Sequence, residues 1–194
     1  MTEAAVRHLY SAEDLLAMED GDAYELDDGE LVEVPVGFES QDVAGELLRR
    51  LGNFLEGRAI GRVIPMEVGL QIFPNRPRRI PRPDGGFITF ERLGTRRAPK
   101  GFLTKAPELV IEAVSPGDLA SYLDRKVQEY LSVGVQLVWV LLPDTRRATI
   151  YRADGSVTLV HPNGYLEGED VIPGFRCALA DIMPPPDDDA AQEG

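Results

Sequence analysis

Three residues in this chain have types and surroundings that suit chemistry. Glu112 interrupts an otherwise apolar run, Leu109-Val110-Ile111-Glu112-Ala113-Val114. Strand alternation puts it beside Val110 and Val114, with Leu109, Ile111 and Ala113 on the other face. Neither face looks wet, and a carboxylate there costs several kcal/mol unless it is paired, protonated or bound to a metal. Lys126 is the second anomaly. At about 100° per residue it falls in the middle of an apolar stripe made by Leu119, Tyr122, Leu123, Val127, Tyr130 and Val133. A lysine there either snorkels to an element end or meets a buried anion, and Glu112 is the obvious anion. The bland alternative is a structural ion pair. Asp84 is the third residue, after Pro83 at the entry to an apolar strand. Two carboxylates can hold a hard divalent cation, Mg²⁺ or Mn²⁺, through oxygen. A lysine beside them can orient or deprotonate a water and stabilise a pentavalent phosphate. That combination is metal-assisted phosphodiester hydrolysis.

The elements that must position these residues can be read in order. Ser11 caps a short helix over Leu15–Met18. Tyr24-Glu25-Leu26 and Leu31–Val34 flank Asp28-Gly29 as a hairpin. Residues 40–56 form a helix with Val43, Ala44, Leu47, Leu48, Leu51, Phe54 and Leu55 at helical spacing and Gly57 as the stop. Residues 63–73 read as one or two strands, 74–83 as a Pro/Arg loop, 87–90 as a strand and 91–107 as a loop. The apolar strand carrying Glu112, a helix over 118–133 ended by Gly134, and the apolar strand Leu137–Leu142 make a right-handed βαβ unit. A β meander follows, over 148–151, 157–160 and 165–166. The predicted fold class is α/β. It is a restriction-endonuclease-like core, a mixed β-sheet flanked by two main helices, with an N-terminal helix-hairpin and a C-terminal meander.

Length and charge bound the rest. The 194 residues divide into one domain over 1–183 and an acidic Pro/Asp tail over 184–194 expected to be disordered. The net charge of −13 argues against a broad nucleic-acid coat. Residues 76–105 break that trend with nine basic residues against Asp84 and Glu91. Arg78, Arg79 and Arg82 of this band are the expected DNA contacts; a solvated basic loop is the alternative. A single cysteine, Cys177, rules out an internal disulfide. No apolar run reaches the roughly 18 residues of a membrane helix. No signal peptide is visible. A cytoplasmic protein without membrane contact is expected.

The set of residues resembles the PD-(D/E)XK nuclease superfamily, and more closely its bacterial Uma branch of restriction-type endonucleases. The resemblance spans roughly residues 11–182. It rests on Tyr24–Val32, Arg82-Pro83-Asp84, Pro107–Pro116, Lys126–Trp139 and Gly168–Phe175 in combination. It implies Asp84 and Glu112 as ligands of Mg²⁺ or Mn²⁺. The superfamily lysine would fall at Val114; this branch supplies it from the next helix, here Lys126. Family members often carry a histidine where this chain has Ser40. Glu46 and Glu67 are possible accessory acids, and Glu25 and Glu33 read as structural residues of the hairpin. The leading expectation is a Mg²⁺-dependent DNA endonuclease, with a homodimer or higher oligomer favoured if both strands are cut. The alternatives are a catalytically weak or inactive nuclease-like module that binds nucleic acid or another partner, and a hydrolase of small phosphate esters.

Overall fold

The computed structural model describes residues 8–34 and 37–186. The acidic tail expected to be disordered lies mostly outside them, from Asp187 onward. Helix α1 (Ala12–Ala17) begins at Ser11, whose hydroxyl accepts from Asp14 N–H while the Asp14 carboxylate accepts from Ser11 N–H. This reciprocal cap fixes the start of the short helix. Strands β1 (Tyr24–Asp27) and β2 (Glu30–Glu33) pair antiparallel across Asp28-Gly29, as the alternation implies. Helix α2 (Phe38–Leu55) buries Ser40, Val43, Ala44, Leu47 and Leu51.

The sheet that follows has six strands. They are β3 (Gly61–Ile64), β4 (Gly85–Thr89), β5 (Leu109–Ala113), β6 (Leu137–Leu142), β7 (Arg147–Arg152) and β8 (Val157–Val160), in spatial order β3-β4-β5-β6-β7-β8. Only β5 and β6 run parallel, and helix α4 (Ala120–Ser132) connects them. Every residue of β5 is buried. A separate antiparallel ribbon pairs β9 (Tyr165–Glu167) with β10 (Arg176–Ala178). One helical turn, α3 (Phe90–Leu93), follows β4.

Two cores cover the two faces of the sheet. One joins Val43, Leu47 and Leu51 of α2 to Leu109, Ile111 and Trp139, and to Leu166 and Phe175 of the ribbon region. The other joins Val127 and Tyr130 of α4 to Val110, Val138 and Val140. A third cluster ties α1 and the β1–β2 hairpin, through Leu15 and Leu26, to Ile80 and Phe102. The hairpin is therefore docked on the body, with Leu26 bridged to Ile80 through both of their N–H groups.

The structure differs from the sequence reading in four places. The turn of helix α3 occupies Phe90–Leu93, where the end of a strand and a loop were expected. The strand expected over 63–73 ends at Ile64. Pro65 has no N–H to donate to a ladder, Glu67 turns the chain at φ 65°, and Leu70 rejoins only through an isolated bridge to Leu103. Helix α4 begins at Ala120 rather than Asp118, because Asp118 closes a turn by accepting from Ser115 N–H at 2.6 Å. Strand β10 falls in a segment with no clear alternation.

Candidate active site

Asp84 and Glu112 meet because of strand register. β4 and β5 pair Gly85 with Ile111 and Gly86 with Val110, so one further step sets Asp84 across from Glu112. The two glycines make the approach possible. A Cβ on Gly86 would stand 2.3 Å from the Leu109 carbonyl oxygen, and one on Gly85 2.6 Å from a Leu48 methyl. Asp84 Oδ2 accepts from Ala113 N–H at 2.7 Å, which closes the end of the β4–β5 ladder.

Lys126 comes from α4, on the face that the helical wheel picked out, and is 6% exposed. Its Nζ lies 2.9 Å from Glu112 Oε1 and 3.0 Å from Glu112 Oε2. It also donates to Glu25 Oε1 at 2.9 Å. Tyr130 O–H donates to Glu112 Oε1 at 2.7 Å. Glu25 accepts further from Arg82 N–H at 3.0 Å and from Tyr122 O–H at 2.7 Å. Glu25, Asp84, Glu112, Asp118, Tyr122 and Lys126 line one cleft of about 220 Å³, with Leu119 and Glu33 nearer its mouth.

Electrostatics separate the carboxylates. Burial raises Glu112 to about 7; the Lys126 charge opposes this, while Asp84 and Glu25 add to it. Burial raises Asp84 to about 6, against the Ala113 N–H and Lys126, with Asp118 pushing it further up. Burial is the largest influence on Glu25 and acts upward, but the Lys126 charge and hydrogen bond, the N–H of Arg82 and the Tyr122 hydroxyl together hold its carboxyl below the usual range. Burial disfavours the Lys126 charge, and Glu112 and Glu25 more than restore it, so the ammonium stays protonated. Tyr122 is raised by burial and then by Glu25 to about 12, and remains a donor.

The cleft thus holds more carboxylate than it neutralises from within. Lys126 is the ammonium within it, shared by Glu25 and Glu112. The Arg82 guanidinium is spent on the carbonyl oxygens of Tyr24, Gly21 and Glu67. That donor set fits a divalent cation held by Asp84 and Glu112. Among the described residues no group of three or more His, Cys, Asp or Glu side chains surrounds one point. A cation held by these two carboxylates would need its remaining ligands from water or phosphate oxygen, as Mg²⁺ commonly does.

The other expected residues lie elsewhere. Glu46 is on α2, clamped by Arg49 at 2.6 Å and Arg50 at 2.8 Å, away from the cleft. Glu67 is exposed in the turn after β3 and is not part of the lining. Ser40 is buried, donates to Gly37 O and lies 2.7 Å from the Ser115 hydroxyl. It ties the start of α2 to the segment after β5. Of the three expected DNA contacts, only Arg78 is exposed. Arg79 is fully buried, donating to Glu129 at 2.8 Å, and Arg82 is buried against the carbonyls just named. Neither reaches a phosphate, because each guanidinium is the internal tie of the hairpin to the body.

Glu25, read as structural from sequence, belongs to the cleft. Its signal was the acid at an inward position of a short strand, between half-buried Tyr24 and buried Leu26. Tyr122 and Tyr130 passed for apolar stripe residues, since a phenol carries a hydrogen-bonding tip on an apolar body.

The Uma2 family, described as “putative restriction endonuclease”, matches residues 12–180. The chain belongs to this family. The fold is shared with the crystal structure of a “putative nuclease belonging to DUF820” from Anabaena variabilis, at a TM-score of 0.72 and 19% identity, covering 89% of this chain and 97% of that one. No curated protein matches the Uma2 chain in sequence. Among its described residues no helix is long and apolar enough to cross a membrane.

Proposed function

We propose that the protein is a divalent-metal-dependent endonuclease that hydrolyses DNA phosphodiester bonds in this cleft. The observation that carries the reading is the juxtaposition of Asp84, Glu112 and the Lys126 ammonium in one cleft. Asp84 and Glu112 are the residues that would hold Mg²⁺ or Mn²⁺. When bound, the cation would polarise a phosphate oxygen and lower the pKa of a bound water. The chain's own groups do the positioning. Lys126 keeps its charge and so acts as a donor to a phosphate oxygen where negative charge grows in the transition state, not as a base. Tyr130 holds one oxygen of Glu112, and the Ala113 N–H holds one oxygen of Asp84. In the reaction a water oxygen bonds to phosphorus, one P–O ester bond breaks, and the leaving oxygen gains a proton. The phosphodiester backbone approaches past exposed basic residues, Arg78 among them. One cleft per chain and two strands per duplex favour a dimer for double-strand cutting, and the cytoplasm is the compartment where such a substrate is met.

Supercoiled plasmid incubated with Mg²⁺ or Mn²⁺ tests this, with Asp84→Ala as the control. Nicked or linear product from the wild type and none from the variant is the expected result. Gel retardation without cleavage supports a binding module instead. Ser40 favours that second reading, since it is buried and bonded internally at the position where the family resemblance implies a histidine.

A further inference from the structure

Lys126 is shared between two carboxylates that are held very differently. Glu112 is held by Lys126 and Tyr130 alone among side chains, and it is one of the two groups that would turn to a cation. Glu25 is pinned on both oxygens. Oε1 takes the Arg82 backbone N–H with the ammonium, and Oε2 takes the Tyr122 hydroxyl. Behind it lies the Arg79 guanidinium, with Nη1 3.6 Å from Glu25 Oε2 and Nε donating to Glu129. Arg79 is fully buried, and its Nη2 has no hydrogen-bond partner among the described residues. A buried guanidinium with an orphaned N–H is costly to keep, and here it faces Glu25.

An ammonium on a four-carbon stem loses its orientation when its only anion leaves. We propose that Glu25, braced by the buried Arg79 guanidinium, is a positioning residue that keeps Lys126 aimed into the cleft when Glu112 turns to a cation. This rests on the reading of the cleft as a phosphodiesterase site. Glu25 comes from the β1–β2 hairpin, so the hairpin is a working part of the site and not only a cover. Glu25 touches neither substrate nor cation in this arrangement. Its role is exerted entirely through Lys126.

The test compares Glu25→Gln with Glu112→Gln by the ¹H–¹⁵N signal of the Lys126 side-chain ammonium, which is seen only when the group is ordered and shielded from exchange. The expected result is a signal that survives in Glu112→Gln and in wild type with saturating Mg²⁺, and is lost in Glu25→Gln. A signal lost in Glu112→Gln and kept in Glu25→Gln overturns the proposal. In plasmid cleavage Glu25→Gln should lower kcat between about 10- and 100-fold with little change in KM, the signature of a misplaced group. Its Mn²⁺-induced rise in melting temperature should remain, whereas loss of that rise would make Glu25 a ligand and also overturn the proposal. Should Glu25→Gln fail to fold, Tyr122→Phe loosens Glu25 by one hydrogen bond and should weaken the ammonium signal and kcat in the same direction. A wild type that neither cuts nor responds to Mn²⁺ defeats the nuclease reading alone, because the ammonium spectra of the metal-free proteins still decide whether Glu25 or Glu112 orders Lys126.

Discussion

Lys126 and Glu112 are 14 residues apart in sequence and 2.9 Å apart at Nζ and Oε1, delivered by the consecutive elements of a single βαβ unit. The crossover that follows β5 must lay its helix back on the sheet, and Lys126 falls on the face that lands there. This local delivery makes the pair robust. It also makes it sensitive to loss of either member.

Replacing Lys126 by Met leaves Glu25 and Glu112 buried without their shared cation. Breaking a buried ion pair from one side typically costs about 3–5 kcal/mol. Lys126→Met should therefore lower stability at pH 8 as well as remove cleavage, and the stability loss should shrink near pH 5, where Glu112 is protonated. Chemical denaturation at the two pH values measures this. Equal stability at pH 8 would mean that the ammonium is hydrated and dispensable to the fold.

Asp84→Ala and Glu112→Ala should each reduce plasmid cleavage by at least about 100-fold, as expected for groups that bind and orient the reacting centre. Both should retain the far-UV spectrum of the wild type. Cleavage at the wild-type rate from either variant removes that residue from the site.

Stability should depend on pH in a direction unusual for carboxylates. Asp84 and Glu112 are raised in the fold, from 3.8 to about 6 and from 4.5 to about 7. The folded form thus binds protons more tightly than the unfolded form, and the associated stability is complete below about pH 4 and is lost as pH rises through 6 and 7. At about 1.4 kcal/mol per unit, the loss from Glu112 is on the order of 3 kcal/mol. Glu25 is shifted the other way, so its contribution is present above about 4.5 and is lost only in more acid solution. Metal-free melting temperature should fall between pH 5 and pH 8, and Glu112→Gln should flatten the curve and raise its alkaline end. A flat wild-type curve contradicts the raised values.

A divalent cation should reverse that trend. It binds the folded cleft only, so at 100 times its dissociation constant it adds about 2.7 kcal/mol. In a chain of this size that is about 5–10 °C. The rise should be larger at pH 8 than at pH 5.5, because protons compete for Asp84 and Glu112. Mn²⁺ should act at lower concentration than Mg²⁺. Thermal shift titrations of wild type and Glu112→Gln check this, with no response expected from the variant.

The basic band splits into two groups with separable readouts. Arg79→Ala should destabilise the protein by about 3–5 kcal/mol, because Glu129 and Glu25 lose a buried partner. Arg78→Ala should leave stability unchanged and reduce the log–log salt slope of DNA binding by about 0.9. Finding the salt effect at Arg79 would place its side chain outside the protein.

How much of this was legible in the sequence follows from the kind of signal each residue gives. Glu112 and Lys126 each violate a strong local period, so their burial and their pairing could be read from spacing alone. Asp84 carries no local anomaly; it depends on a strand register that no single segment encodes. Glu25 was missed for a related reason. Its partner is 101 residues away, and within its own hairpin a glutamate is unremarkable. Arg79 and Arg82 misled because charge counts cannot distinguish a guanidinium facing solvent from one that ties loops together. The end of β3 was visible in principle, since Pro65 stands where the ladder stops.

The 101-residue separation of Glu25 and Lys126 bears on when the protein acquires its chemistry. On the ribosome the β1–β2 hairpin emerges early, and an isolated two-strand hairpin is marginal in water. Its glutamate stays hydrated until α4 has been made and has packed. The cleft is then completed only when α4 brings Lys126 to Glu25 and Arg125 to Asp27, the latter at 2.6 Å. A nascent chain that already displays Glu25, Arg79 and Asp84 still lacks Glu112 and the Lys126 ammonium. On the proposed reading, the chain order alone withholds cleavage until Lys126 has been made and packed.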